Sequence, residues 1–425
     1  MGFFSSLGSA ISGFVSDVVD TVASVVPAVI NKVKEVAVKT ISWLADEAET
    51  FVGDVQKIWQ AVKPHISKAR VALTTLANLA PWPVVKLMAQ GLERALAFLE
   101  NIESHPLMGQ LKKAIDWVIK HAKDIKEKVL NDIEIKEAEA RAEAFQAAMQ
   151  EVPAAEQPAV RVAALINSYM LVRAKILKAV NAGEVEDFNH YLRVRAAQKL
   201  LAFYEKSMTS IETLADVNND MIALMDISAC LISSAPSLTI EQARTLDQLT
   251  TQHFGKSVIP FVFEEMILAW NVDLEKLEAN WKELNQTLAR DKILAKRLTL
   301  AKRLETLTPE EQVVLNDLLK SVDTDAVKLQ TLENSVREKC NYVYASEGFL
   351  QLLEKGEEGL TAEGKGYMIE RSNEVGKLII DCAQNQKKWD ELTQDQQALI
   401  VDFANIFEED CRARTEAFTL VEVAA

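Results

Sequence analysis

The chain has 425 residues, a formal net charge of −15 at neutral pH, and only 14 glycines and 10 prolines. So acidic a chain is poorly suited to a nucleic-acid backbone, which is bound by clustered lysines and arginines. Because glycine and proline are scarce and strong helix formers abundant, the sequence predicts an all-α protein. In detail we expect an elongated multi-helix bundle with long amphipathic helices and an apolar N-terminal helical segment.

The N-terminal region carries one continuous apolar stripe. From Phe4 to Ile66, apolar residues recur at steps of 3, 4 and 4, with Thr40 as the exception. An 11-residue repeat of this kind gives a nearly straight helix with one apolar face, which lies on a membrane surface or pairs with another helix. The residues expected to contact a membrane or partner are Phe3, Phe4, Leu7, Ile11, Phe14, Val15, Val18, Val22 and Val26.

Proline-rich breaks divide the chain into three predicted parts. Prolines flank Trp82 at 81–83, and a second break falls at 153–158. We therefore predict an apolar amphipathic segment over 1–80, a helical hairpin over 81–152 and a C-terminal helical bundle over 153–425. Within the hairpin, residues 108–150 are predicted to form a single long helix, whose far half, 134–150, protrudes or pairs with only one neighbour.

The C-terminal part has recurrent helix-start signals. Threonines stand at four expected N-cap positions, and three of them have Gln or Glu three residues later, which predicts capping boxes. The four are Thr239, Thr308, Thr361 and Thr393. The predicted helices span 159–182, 184–235, 240–253, 258–305, 309–321, 325–355, 362–390 and 394–418. Residues 258–263 are the best strand candidate, but Pro260 argues against a strand.

A tandem LAKRL sequence over 294–304 places four basic residues among leucines on one predicted helix. This basic patch consists of Lys296, Arg297, Lys302 and Arg303. Anionic lipid or an acidic partner is one expected ligand for such a patch. The alternative is a solvated helix face whose basic residues pair with nearby glutamates.

No arrangement of residues points to catalysis. The stretch 359–366 resembles a phosphate-binding loop, but Gly366 stands where a hydroxyl residue is required. Asp187 and His190 have nearly the spacing of a helical metal-binding pair, but only one such pair exists. The four cysteines are scattered, which predicts free thiols. We therefore expect no enzyme activity, no catalytic residue, no cofactor and no metal site.

The N-terminus does not have the form of a classical signal peptide, because the first basic residue is Lys32. Asp17 and Asp20 interrupt the best apolar run, so no membrane-spanning segment is expected. We predict a cytoplasmic protein, or one exported by a route without a signal peptide to act at a membrane. Residues 1–6 also fit the N-myristoylation pattern at Gly2, with a plain apolar N-terminus as the alternative.

Three functional hypotheses follow. The first is a non-enzymatic, membrane-active α-helical protein that uses its N-terminal amphipathic helix, resembling α-helical pore-forming toxins in architecture only or binding a membrane surface. The second is a self-assembling structural protein built on coiled helix contacts. The third is a soluble helical partner-binding module. The expected partner is a lipid membrane surface or another copy in a homo-oligomer, and neither nucleic acid nor a small-molecule substrate is expected.

Overall fold

A computed structural model of the chain describes residues 108–121, 130–155, 157–182, 185–209, 216–304, 307–384 and 389–424. It also describes 35–39, 55–62 and isolated residues elsewhere. Both short stretches are helical, and the described residues contain no β-strand. The prediction of an all-α protein is therefore confirmed.

Ten long helices make up most of the described chain. They are α1 (Met108–His121), α2 (Asp132–Glu151), α3 (Gln157–Ala182), α4 (Phe188–Thr209), α5 (Asn219–Leu231), α6 (Ile240–Phe254), α7 (Val258–Leu304), α8 (Pro309–Ala362), α9 (Met368–Gln384) and α10 (Gln394–Ala424). A 3-10 turn, Trp389–Glu391, precedes the last of them.

The chain divides into two compact units. The first contains Met1–Glu265 together with Thr419–Ala425, and the second contains Met266–Phe418. In the first unit α2 packs along α3, α3 also contacts α1, α4 and α5, and α5 contacts α4 and α6. In the second unit α9 packs against the C-terminal part of α8. The three-part division predicted from the proline-rich breaks stays a prediction.

Polar side chains fix the pairing of α2 with α3. Asn167 is completely buried; its amide donates to the carbonyl of Ala138 over 2.8 Å and its oxygen accepts from Arg141 Nε over 3.0 Å. The Arg141 guanidinium also lies 3.6 Å from the ring centre of Trp117 on α1. A buried amide that satisfies both its donor and its acceptor specifies one register between two helices.

The predicted capping boxes are confirmed. Thr239 and Thr308 each accept a hydrogen bond from the backbone of the residue three positions later, whose side chain accepts one in return. Thr393 and Gln396 make the same reciprocal pair. Thr361 does not cap a helix, because it lies inside the last turn of α8. Residues 258–263, the strand candidate, form the first turns of α7.

The prediction of one helix over 108–150 is wrong. Leu130 and Asn131 are not helical, and Asn131 starts α2 with its own capping box to Glu134. The single helix predicted over 184–235 is also interrupted, since Asn218 caps a separate helix α5. In both places an asparagine side chain competes for backbone N–H groups and favours a helix start over helix continuation.

The break predicted between 321 and 325 does not exist, because α8 is helical from Pro309 past this point. No glycine or proline occurs there, and the Ser321 and Thr324 hydroxyls donate to carbonyls three and four residues earlier. The interruption in α8 falls at Gly356 instead, where φ is +65°. Only glycine adopts this backbone region readily, so the helix changes direction at that residue.

Candidate interaction surfaces

The longest helices of the second unit, α7 and α8, form an antiparallel pair. Four residues connect them at one end, and Asp273 pairs with Lys339 at the other. The Cys340 thiol lies 3.5 Å from Glu278 Oε1 on the same stretch. We call residues 282–304 of α7 and 309–338 of α8 the distal arm.

The distal arm has a narrow core. Its buried side chains are Leu288, Ala295 and Leu315, which are 2–6% exposed. Buried and half-buried positions recur at alternating steps of 3 and 4 on both helices, which is the spacing of a two-helix coiled-coil seam. The seam positions are Leu284, Leu288, Asp291, Ala295 and Leu298 on α7, and Leu315, Leu318, Val322, Asp325, Leu329, Leu332 and Val336 on α8.

Exposed apolar side chains are concentrated on the distal arm. Of the eleven large apolar side chains that are exposed among the described residues, eight lie on the arm. They are Ile293, Leu294, Leu300, Leu304, Val313, Val314, Leu319 and Val327. Single exposed leucines are common on protein surfaces, but a concentration of this kind is typical of an interaction surface.

All four residues of the basic patch lie on the distal arm and are exposed. Within the part of the chain that the structure describes, Lys296, Arg297, Lys302 and Arg303 form no ion pair. Their charges therefore face solvent beside the exposed leucines of α7. That this patch docks a ligand stays a prediction.

A buried ionic cluster holds the base of the arm. The Arg414 guanidinium on α10 hydrogen-bonds to Glu347 over 2.7 Å and to Glu354 over 2.8 Å, both on α8. Burial raises the pKa of Glu347, and the hydrogen bonds from Arg414 oppose that shift. Two residues earlier on α10, Arg412 pairs with Glu278 of α7 over 3.0 Å. These two arginines of α10, separated by one residue, thus connect it to both α7 and α8 at the base of the arm.

The first unit contains a comparable buried cluster at the start of α7. Glu265 pairs there with Arg195 and, over 2.9 Å, with Lys199, both on α4. Burial alone would raise the pKa of Glu265, but the two cations outweigh it and lower the pKa to about 2. Arg195 and Glu265 are almost inaccessible to solvent, so we interpret this cluster as a structural contact between helices.

The described residues of the N-terminal stripe are all buried. These are Leu7, Ile11, Ala37, Val55, Trp59 and Val62, and Phe3 beside the stripe is buried as well. The rings of Trp59 and of Tyr191 on α4 form a T-shaped pair with 5.8 Å between ring centres. The other predicted contact residues, Phe4, Phe14, Val15, Val18, Val22 and Val26, lie outside the described residues. Membrane contact by this stripe stays a prediction.

The motifs that resemble ligand sites have structural roles. Lys365, the lysine of the phosphate-loop-like stretch, pairs with Asp410 over 2.7 Å and lies 5.0 Å from the ring centre of Phe407. Asp187 accepts a hydrogen bond from the His190 backbone at the start of α4, and His190 Nδ1 accepts from the Glu186 N–H. Burial lowers the pKa of His190. The described residues contain no cluster of His, Cys, Asp and Glu that would hold a metal ion.

The sequence alone did not predict the distal arm as an exposed apolar surface. The helix 258–305 was predicted almost correctly, and the leucine spacing of the seam is visible in the sequence. The signal for the arm was the presence of additional leucines and valines outside that seam, beside a run of lysines and arginines. Such residues cannot be assigned to a surface until the neighbouring helices are known.

Comparisons with protein-family models, with curated proteins and with solved structures find no match for this chain. Within the described residues, no helix has the length and low charge needed to cross a membrane. The function must therefore be inferred from the chemistry of these surfaces.

Proposed function

We propose that this protein is a non-enzymatic, membrane-active α-helical protein. In this proposal the N-terminal apolar stripe is held inside the fold in water and is released onto a lipid surface. The observation that carries the proposal is that residues 1–31 contain only two charged side chains, Asp17 and Asp20. The burial of Leu7 and Ile11 supports a state in which this apolar surface is shielded from water.

The composition of the segment supports a conditional helix. Gly8 and Gly13 each cost about 1 kcal/mol relative to alanine within a helix, so the segment is a weak helix by itself. An apolar surface compensates for this cost by burying the phenylalanines and valines, at roughly 25 cal/mol per Å² of apolar area. The same property allows the segment to exchange a protein interior for a lipid interface.

The later part of the stripe, around residues 55–62, is held more firmly by the rest of the first unit than the glycine-containing N-terminal part. In the helical stretch 55–62, Val55, Ile58, Trp59 and Val62 are buried, and Trp59 contacts Tyr191 of α4. The glutamine at position 56 also donates to the Val185 carbonyl. We therefore place the released segment before residue 55, with Val55–Val62 remaining packed on the first unit.

The proposal is tested by liposome flotation and dye leakage with the full-length chain. Val18→Asp places a charge on the predicted stripe and should abolish flotation and leakage. Ser16→Asp is the matched control, because it adds the same charge on the opposite face of the same predicted helix. Both variants are compared with the unsubstituted chain by circular dichroism, so that loss of fold is distinguished from loss of binding.

Two results would contradict this proposal. One is unchanged flotation of the Val18→Asp variant, since the stripe would then not be the lipid contact. The other is the absence of flotation by the unsubstituted chain on vesicles of phosphatidylcholine with and without phosphatidylserine. A variant lacking residues 1–38 provides a further comparison, with helicity measured in parallel.

A further inference from the structure

We propose that the contact between residues 55–62 and the start of α4 is an acid-sensitive latch, which opens when the His190 side chain takes up a proton. At neutral pH the latch keeps the later part of the N-terminal stripe packed on the first unit. In acid it releases this part as well, which extends the apolar segment that can leave the fold. The role of the latch in membrane binding rests on the proposed function, whereas the latch itself can be tested without lipid.

The two sides of the latch meet at one peptide group. Gln56, in the helical stretch 55–62, donates a hydrogen bond from its side-chain amide to the Val185 carbonyl. The Glu186 N–H belongs to the same peptide group and donates to His190 Nδ1 over 3.0 Å. Because a peptide group is planar and rigid, the bond to His190 holds the Val185 carbonyl in the direction that Gln56 requires.

His190 is the acceptor side chain of a modified capping box. Asp187 precedes α4, and its carboxylate accepts from the His190 backbone N–H over 2.6 Å. In an ordinary capping box, a Glu or Gln side chain at the position of His190 accepts a backbone N–H in return. Here the imidazole fills that role and accepts from Glu186. A neutral imidazole has one acceptor nitrogen and an imidazolium has none, so protonation of His190 removes this hydrogen bond.

The first turn of α4 also carries the apolar side of the latch. Trp59 forms its T-shaped pair with Tyr191, and Tyr191 stacks on Phe188 with 5.4 Å between ring centres. Both aromatic residues lie in the same helical turn as His190, so a change at the start of α4 alters the surface that holds Trp59. The Trp59 indole N–H is buried and has no hydrogen-bond partner within the described residues. Water would satisfy this group, which favours release once the latch loosens.

The surroundings of His190 disfavour the charged imidazole while the latch is closed. Burial lowers the pKa of His190 and Arg193 adds to this shift, whereas Glu186 and Asp187 oppose it. Arg193 is buried and hydrogen-bonds to a carbonyl at the end of α5, but both carboxylates are exposed to water. The last turns of α3 and α5, which end near this site, contain no charged residue, and residues 55–62 contain one, the exposed Lys57.

The direction of the pH effect follows from the difference between the closed and the open latch. A histidine in water has a pKa of about 6.5, and the pKa of His190 in the closed latch is lower. The open state therefore binds the proton more readily, so a fall in pH below about 6.5 favours opening. Well above this pH His190 is neutral in both states, and the latch stays closed.

The test measures amide hydrogen exchange of residues 55–62 in the full-length chain without lipid, between pH 7.5 and pH 5, with correction for the intrinsic exchange rate. We expect the corrected rate in this stretch to rise by about threefold or more as the pH falls. His190→Gln should abolish the rise, because a glutamine side chain accepts from the Glu186 N–H and does not titrate. His190→Lys should give fast exchange already at pH 7.5, because a lysine side chain is charged and only donates.

His253→Gln is the matched control. His253 is also half-buried and lies in the same unit, but it is on α6, where its ring lies 4.1 Å from that of Phe203. This variant should keep the full rise in exchange of residues 55–62. Exchange in α2 and α3 provides an internal reference, because general acid unfolding would raise it as well.

Two results would overturn the latch. One is exchange in residues 55–62 that does not rise between pH 7.5 and pH 5. The other is a rise that persists in His190→Gln, or that occurs to the same extent in α2 and α3. Failure of the membrane proposal looks different: the latch opens in acid as expected, but the unsubstituted chain does not float with vesicles at either pH.

Discussion

Arg414 on α10 donates to both carboxylate oxygens of Glu347 on α8, and Glu347 is completely inaccessible to solvent. The two residues are separated by 67 positions in sequence, so their pairing depends on the correct packing of α10 on the base of the distal arm. The same guanidinium reaches Glu354 two turns further along α8. Removing one member of such a buried ion pair is costly, because the remaining charge stays buried without its partner.

Arg414→Met should destabilise the second unit by about 3–5 kcal/mol, because it leaves the Glu347 carboxylate buried without its partner. Adding Glu347→Leu should recover a large part of that loss, since the completely buried carboxylate is then removed. Urea unfolding measures both changes. Lys328→Ala is the control, because it removes the exposed ion pair with Asp325 and should change stability by less than about 1 kcal/mol. A small effect of Arg414→Met would show that Glu347 is protonated or hydrated in the folded protein.

The ion pairs of Glu265 should make stability depend on pH in the acidic range. The pKa of this carboxyl is lowered from an ordinary 4.5 to about 2, so the folded state binds its proton less readily than the unfolded state. The contribution of ionised Glu265 to the free energy of unfolding is therefore fully present above pH 4.5 and is lost as the pH falls toward 2. Its magnitude is on the order of 3 kcal/mol. Glu265→Gln should be less stable than the unsubstituted chain at pH 7, and the difference should narrow at pH 3. The exposed Glu241→Gln should show no such narrowing, and a constant gap for Glu265→Gln would refute this assignment.

The four cysteines should differ in reactivity. Burial, with Glu278 adding to it, raises the pKa of Cys340 to about 12, and burial also raises the pKa of Cys382 and Cys411. Thiolate is the reactive form, so these three should react slowly in the native protein. Cys230 is partly exposed and should account for a single fast phase with a chromogenic disulfide at pH 8. Cys230→Ser should remove that phase. A second fast thiol in the native protein would contradict this order.

Gly348→Ala should destabilise the second unit although alanine is the better helix former. A methyl group at this position would lie 2.7 Å from Phe407 and 3.2 Å from Phe403, both on α10. Such overpacking costs about 1–3 kcal/mol, which exceeds the gain in helix propensity of about 1 kcal/mol. Combining the change with Phe407→Leu should cost less than the sum of the two single effects, as measured by thermal unfolding. Strict additivity would indicate that the close approach of α8 and α10 is not the cause.

The sequence was sufficient to predict helix content and several helix starts, because these depend on local interactions. The reciprocal bonds of Thr308 with Glu311 need only neighbouring residues, and they were predicted correctly. The interruption at Asn131 was not predicted, because an asparagine inside a helix lowers helix stability only slightly. Whether the helix starts anew there depends on the additional hydrogen bond with Glu134. The opposite error occurred near Thr324, where the seam through Val322 and Leu329 favours helix continuation over the local turn signal.

The surfaces were harder to predict than the helices. Apolar spacing indicates which residues share one face of a helix. It does not indicate which neighbouring helix covers that face. Leu288 and Leu300 are both leucines of the same helix, yet the first is buried in the seam and the second is half exposed. The difference depends on the position of α8 relative to α7, which is a property of the tertiary structure. For the same reason the partners of Arg414 were not apparent from the sequence.

The length of the distal arm has a mechanical consequence. With a rise of about 1.5 Å per residue, its tip lies roughly 35 Å from its base. A tilt of the base by about 5° would therefore displace Leu304 by about 3 Å. The ion pairs of Arg412 and Arg414 lie close to the pivot of such a tilt. Any molecule that holds the tip in place would thereby apply a torque to the most deeply buried charges of the second unit.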